Sequence, residues 1–424
     1  MNSLQRRSDS LLVHALGAIF LMTICNTAAA IDSSVREDTA TPSNVECLLN
    51  WAQTFYPNLF SPLMSGVQLS APYTYRYYSD TNAYVGVSSA DNHVYYQGPS
   101  DVSPKDIGDL SALLKEAGCG ARPYPVIFIH GLASSADTWA SYRDYLIHNA
   151  GWVFGGIPTY NPDTKTVNMN CPTDPNLVTG CTGNAGDFYT LNFSDNQGLF
   201  LDVLGSELAE IIQAVLDKNP GATKVLLIGH SLGGLAAREY LQGLARVFDA
   251  TTTIPYREDV AKLITIGTPH QGSFWAEACH VNLDIFDLFN KVGICDLLPG
   301  GIDSNSVAIK DLQPNSSALN ALNDVATHPL PTNVSYISII GTGQPTLSSL
   351  VDFQAGDGII SDISQNLATV TGDLPLQQKS TTIDILFREC GNQIKVPVVE
   401  NVGQTHSCET TDINVGAEIL RNLQ

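Results

Sequence analysis

The residues best placed to do chemistry are Gly229-His230-Ser231-Leu232-Gly233-Gly234. The pattern G-x-S-x-G puts a serine on a tight turn between a strand and a helix, with its hydroxyl exposed at the edge of a sheet. Glycines two residues to either side let strand and helix approach without clashing Cβ atoms. Five residues of this kind are common by chance, so the context decides. Residues 224–228 read as a buried strand and residues 232–247 as a helix, which is the setting a nucleophilic serine needs. A second signal is Phe128-Ile129-His130-Gly131-Leu132. Acyl transfer to a serine generates an oxyanion, and two preorganised backbone N–H groups must point at it. Leu232, the residue after the serine, is expected to supply one. The loop that follows residues 126–129 is expected to supply the other, with Leu132 as the candidate. His130 then orients that loop and is not a catalytic base.

These residues need elements to hold them. Val126-Ile127-Phe128-Ile129 is a continuous apolar run, as expected for a strand covered on both faces. Trp152-Val153-Phe154 fits the next strand. Residues 197–218 carry Leu201, Leu204, Leu208, Ile211, Ile212 and Val215 at helical spacing, and Pro220 follows the stop. Leu263-Ile264-Thr265-Ile266 and residues 334–340 read as two further strands. Strands alternating with helices predict an α/β domain over residues 121–424, with a mostly parallel sheet and helices on both faces. Residues 155–196 read as a long Gly-, Asn- and Thr-rich loop at the rim of a pocket.

Residues 125–139 (PVIFIHGLASSADTW) and 225–240 (VLLIGHSLGGLAAREY) together resemble secreted bacterial triacylglycerol lipases and esterases of the α/β-hydrolase superfamily. The resemblance continues through Thr265-Ile266-Gly267-Thr268-Pro269-His270-Gln271-Gly272-Ser273, through Asp311-Leu312-Gln313-Pro314-Asn315-Ser316 and into GDGIIS at 356–361. Related patterns occur in enzymes similar to the inositol deacylases of glycolipid anchors. In this fold the chain order is Ser, then Asp or Glu, then His. The acid should follow the strand at 334–340. Asp357, between Gly356 and Gly358, fits best, with Asp352 and Asp362 as alternatives. His406 alone among the histidines follows Asp357, so it is the expected base; His230, His270, His280 and His328 come too early, and His230 is expected to point away from the site. Residues 274–325, dense in apolar side chains, suit a helical cap. The resemblance implies no cofactor and no catalytic metal. It leaves room for a structural calcium near the histidine loop, with Asp412 as a candidate ligand.

The chain has 424 residues, 44% of them hydrophobic and 15% charged, and a net charge of −21. That is a globular composition, and the negative surface disfavours nucleic acid. Residues 1–30 read as a signal peptide: Arg6 and Arg7, an apolar run from Leu11 to Cys25, then Ala28-Ala29-Ala30. Secretion would permit disulfides. Nine cysteines become eight when Cys25 leaves with the leader. Proximity along the chain favours Cys47 with Cys119, Cys171 with Cys181, Cys279 with Cys295, and Cys390 with Cys408. Residues 31–44 read as a polar linker. Residues 45–119 read as a small α+β module, bracketed by cysteines and rich in tyrosine, with a short helix at 46–52. Strands are expected at 73–78, 83–87 and 93–96, and a helix at 106–117. The expected substrates are lipid or other fatty acyl esters, met at a lipid–water or polymer surface. The rival readings are an aliphatic polyester depolymerase, a lipid acyltransferase, and a catalytically silent surface-binding protein.

Overall fold

The computed structural model describes residues 124–279 (with breaks at 149, 173–179 and 249–250), 302–385 (with a break at 350–351) and 404–423. It also describes strands between 64 and 109, the helix that follows, Cys47, Cys119 and two short strands, β12 (Asn282–Leu283) and β13 (Val292–Gly293). The expected leader and linker, and all of the first helix of the small module except Cys47, which is helical, lie outside the described residues. The chain forms two compact units. One takes in the chain up to Arg122 with Tyr145–Gly151 and Ala417–Gln424; the other takes in Pro123–Asp144 and Trp152–Gly416.

In the first unit, β1 (Met64–Ser70), β2 (Tyr73–Tyr78), β3 (Ala83–Ser88), β4 (His93–Gln97) and β5 (Lys105–Asp109) form an antiparallel meander in that order. The side chains of β2, with its tyrosines, lie outside the described residues. The helix expected at 106–117 begins later, as α1 (Leu110–Glu116). Gly108 has φ +137°, which no α-helix accepts, and residues 105–109 instead pair with β4. Asp109 then caps the helix, accepting the Ala112 N–H at 3.0 Å. Cys47 and Cys119 are disulfide-bonded.

The second unit is built on an eight-stranded sheet. Its strands in chain order are β6 (Val126–Ile129), β7 (Phe154–Asn161), β8 (Thr166–Asn170), β9 (Phe188–Thr190), β10 (Val225–His230), β11 (Val260–Ile266), β14 (Ser335–Thr342) and β17 (Gln377–Asp384). Their spatial order is β17-β14-β11-β10-β6-β9-β7-β8. Every neighbouring pair is parallel except β7 with β8. This is the α/β-hydrolase fold. The segment expected as a loop at 155–196 instead carries most of β7, all of β8 and all of β9. Glycines let these strands close up: a Cβ on Gly155 would sit 2.1 Å from the Tyr189 ring, and one on Gly186 would sit 2.3 Å from Gly155 N. Cys171 and Cys181 are bonded across the β8–β9 connection.

Two helices come before and after β10 along the chain. In α2 (Leu201–Lys218), Leu201, Leu204, Leu208, Ile211, Ile212 and Val215 are buried, as the spacing predicts. They join Ile127, Ile129, Leu227 and Leu235 in one core. The second helix, α3 (Leu232–Leu241), stops six residues before the expected end. Gly243 adopts φ +67°, and the N–H groups of Gly243 and Leu244 close back on Tyr240 O and Glu239 O. The central strand β10 is buried along its whole length and pairs with β6 and β11. Its carboxyl end is therefore where connections diverge to opposite sides of the sheet, the usual place for a ligand crevice.

Candidate active site

Ser231 occupies the turn between β10 and α3 at φ 53°, ψ −127°. A residue with a Cβ rarely adopts this backbone and holds it only where the surroundings enforce it. Here the glycines do so. A Cβ on Gly229 would lie 2.6 Å from Gly234 N, one on Gly233 2.6 Å from His130 O, and one on Gly234 2.1 Å from Thr268 Oγ1. The Ser231 N–H donates to Ile266 O at 2.8 Å, which ties the turn to β11.

His406 lies on the short helix α7 (Gln404–Cys408), numbered after α4 (Phe274–Ala278), α5 (Val307–Asp311) and α6 (Ser317–Asn323). Its Nε2 is 2.9 Å from Ser231 Oγ and its Nδ1 is 2.8 Å from Asp357 Oδ2. Asp357 follows a hairpin, β15 (Gln344–Leu347) with β16 (Phe353–Gly356), inserted after β14. It is fully buried. Its Oδ1 accepts the N–H groups of Ile359 and Ile360 at 2.8 and 2.6 Å, and its Oδ2 accepts Gln365 Nε2 at 3.2 Å. Burial raises the Asp357 carboxyl to about 6, against the pull of His406. Asp352 instead bonds Ser349, and Asp362 accepts the Thr342 hydroxyl. Burial disfavours a charged His406, but the carboxylates of Asp357 and Glu409 outweigh it and raise the imidazole above its ordinary value.

The two expected oxyanion donors flank the serine. Leu132 N–H meets no acceptor among the described residues. Leu232 opens α3, where the first N–H groups have no partner within the helix. A cavity of about 230 Å³ takes in Ser231 and His406, with apolar walls that include Leu132, Trp275, Ile302, Ile309, Leu312 and Ile359. Four of these walls fall within the expected cap: α4 contributes Trp275, α5 contributes Ile309, and Ile302 and Leu312 lie before and after α5. The apolar run Ile285, Phe286, Leu288 and Phe289 lies outside the described residues. Cys279 and Cys408 each take part in a disulfide; Cys295 and Cys390, the respective partners expected from spacing, lie outside the described residues.

His280 lies outside the described residues. His270 is fully buried beside Arg238, with His270 Nδ1 3.3 Å from Arg238 Nη1. His230 departs from expectation. It does not point away but lies with its ring 4.7 Å from that of His406, and its Nε2 donates to His406 O at 3.0 Å. Asp412 uses Oδ1 to accept the N–H groups of Asn414 and Val415, and its Oδ2 is buried without a hydrogen bond. Among the described residues it belongs to no set of three metal-ligating side chains close enough to share an ion.

One residue of the site was missed: Glu409, one helical turn after His406 and fully buried. Its Oε2 is 3.2 Å from His230 Nε2 and 3.4 Å from His406 Nδ1. The available signal was its position three residues after the expected base, together with Gly267 and Gly341. A Cβ on either glycine would come within 1.9 Å of a Glu409 oxygen. Gly341→Ala is accordingly expected to cost about 1–3 kcal/mol, because the carboxylate has nowhere to go. Urea unfolding measures this, and an unchanged midpoint would show that the cradle yields.

Comparison with known proteins adds the following. The family described as PGAP1-like alpha/beta domain matches residues 121–295. Triacylglycerol lipases of Pseudarthrobacter phenanthrenivorans and Burkholderia plantarii are each 30% identical over 159 residues. Those residues are 37% of this chain and 36% and 32% of the two lipases, so the chain spans about a third of the length of the curated relatives it matches. Among solved structures, the product of gene lin2722 from Listeria innocua is similar with a TM-score of 0.41 and 17% identity, over 70% of this chain and 92% of that one.

Proposed function

We propose that this protein is a serine hydrolase of carboxylic esters, acting on lipid or other fatty acyl esters. The observation that carries this reading is a single imidazole, His406, bonded on one side to Ser231 Oγ and on the other to a buried carboxylate, inside an apolar cavity. Similarity to triacylglycerol lipases supports the substrate class.

Ser231 Oγ attacks the ester carbonyl while His406 Nε2 takes its proton. Asp357 holds the Nδ1–H and so fixes the tautomer that leaves Nε2 free to accept. The oxyanion lies between the N–H groups of Leu132 and Leu232. The carbon–oxygen bond to the leaving alcohol breaks, and His406 returns the proton to that alcohol. Water, deprotonated by His406, then attacks the acyl-enzyme and releases the fatty acid, and Ser231 regains its proton. No step needs a cofactor. The apolar residues 11–25 and the small residues after them support export of the mature chain. No helix among the described residues is long and apolar enough to cross a membrane.

The test is hydrolysis of p-nitrophenyl esters from two to sixteen carbons (roughly the span from short-chain esterase to lipase substrates), followed by an alkyl phosphonate and peptide mass analysis. The expected result is turnover that rises from the shortest acyl chain, with the phosphonate on Ser231. A folded protein that hydrolyses no ester and takes up no phosphonate would overturn the reading and leave a silent binding protein in its place.

A further inference from the structure

The oxyanion hole depends on the direction of one peptide group. The bond between Gly131 and Leu132 is planar, so the Gly131 carbonyl and the Leu132 N–H point in opposite directions. Whatever holds the carbonyl aims the N–H. Two side chains hold it. Asn196 Nδ2 donates to Gly131 O at 2.6 Å, and His130 Nδ1 lies 2.9 Å from the same oxygen. His130 is buried, and burial lowers it to about 4, so it is neutral. Its Nε2 accepts the Phe193 N–H at 3.4 Å, which puts the ring proton on Nδ1, facing Gly131 O.

Asn196 does more than share that oxygen. Its amide also donates to Ser134 O at 3.1 Å. Its two bonds therefore bracket Leu132 and Ala133. Ala133 has φ 52°, a left-handed conformation that persists only where the surroundings hold it. The segment that carries Asn196 is itself anchored. Asn192 Oδ1 accepts the Ala136 N–H at 2.7 Å, from the same loop. Glu207, buried on α2, accepts the Ser194 N–H at 2.9 Å and the Ser194 hydroxyl. The path runs from a rigid helix through Ser194 to Asn196, and from Asn196 to a strained loop whose N–H has no other partner.

We propose that Asn196 is a positioning residue of the oxyanion hole: by holding the carbonyls of Gly131 and Ser134 it turns the Leu132 N–H toward the ester oxygen. Asn196 touches no reacting atom. Its contribution appears only when charge develops on the carbonyl oxygen, so it belongs to the transition state and the acyl-enzyme more than to substrate binding. The inference rests on the ester-hydrolase reading.

The test compares the wild type with Asn196→Ala and the isosteric Asn196→Asp, whose ionised carboxylate faces two carbonyl oxygens and cannot donate. Steady-state kinetics on a p-nitrophenyl ester are combined with the carbonyl stretching frequency of the acyl-enzyme. Both variants are expected to lose roughly 10²–10³-fold in kcat, the usual loss of one oxyanion donor, with KM nearly unchanged. The acyl carbonyl stretch should move to higher frequency, because its oxygen has lost a donor. A merely structural role would leave that stretch in place. If either variant folds and keeps wild-type kcat and the wild-type stretch, or if KM rises alone, the proposal is overturned. Failure of the underlying reading looks different, since the wild type itself would then neither hydrolyse esters nor take up a phosphonate.

Discussion

Ser231→Ala should lower kcat for ester hydrolysis about 10⁶-fold, close to the loss seen when a whole serine relay is removed. The size follows from the arrangement. Without Oγ, His406 has no proton to take, and Leu132 and Leu232 can only polarise the carbonyl for direct attack by water. That residual contribution is worth roughly 10³–10⁴ over the uncatalysed reaction. The variant should fold normally. Alanine keeps the same backbone strain at φ 53°, and Oγ makes no bond that holds the turn, because the Ser231 N–H and the flanking glycines do that. Initial rates on the best p-nitrophenyl ester, with thermal melts as control, provide the check. Activity surviving at more than a thousandth of wild type (a bound set by roughly 10⁶) would place the nucleophile elsewhere. Stereochemically ordinary turns at Ser231 are excluded by the packing, so the substitution probes chemistry and not fold.

The elbow, the loop before it and the buried strands were legible because each is fixed by local chemistry. Val126-Ile127-Phe128-Ile129 and residues 225–228 are apolar on both faces because helices cover both, and that leaves a mark on every residue. β17 leaves no such mark. It reads QQKSTTID, alternates between exposed and half-buried side chains, and forms the end of the sheet. Its eight partners on β14 are held through backbone bonds that any residue supplies. A polar, charged edge strand also resists further pairing, so its composition answers to solvent and not to fold. β7 was hidden for a different reason. Gly155, Gly156 and Pro158 punctuate it like a loop, yet Gly155 is there because Tyr189 and Gly186 pack against it, and Gly156 because Asn170 O comes within 2.7 Å of where a Cβ would sit, at φ +131°. Order along the chain pointed to Asp357 and His406, since few residues remained after Ser231. Asn196 acts through partners distant in sequence, and nothing in its own neighbourhood marks it; Glu409 was marked only by its place one helical turn after His406.

Two carboxylates beside one imidazole lead to an inverted expectation. Asp357→Asn should be more damaging than Asp357→Ala. The amide oxygen must stay with the N–H groups of Ile359 and Ile360, which now hold Oδ1. Its NH₂ then faces His406 Nδ1 and forces the ring proton onto Nε2, where it blocks acceptance from Ser231. This wrong tautomer costs about 10⁴ in kcat. Alanine removes the carboxylate without imposing that tautomer. Glu409 Oε2, 3.4 Å from His406 Nδ1, is then free to accept the Nδ1–H. The Asp357→Ala, Glu409→Gln pair should therefore be non-additive, with a coupling of roughly 1–3 kcal/mol in activation free energy. Glu409→Gln alone should act on the pH profile. The base works when neutral, so activity falls as pH drops through the pKa of His406. Asp357 and Glu409 both raise that pKa. Removing the charge of Glu409 lowers it, and the acid limb of kcat/KM moves to lower pH. Rates of the four variants across pH separate the outcomes. Equal loss in Asp357→Asn and Asp357→Ala, with an unmoved limb in Glu409→Gln, would mean that Glu409 serves only to hold His230 against the histidine loop. A wider gap between the two Asp357 substitutions, closed when Glu409 is also replaced, would mean that the site carries two carboxylates able to orient one base.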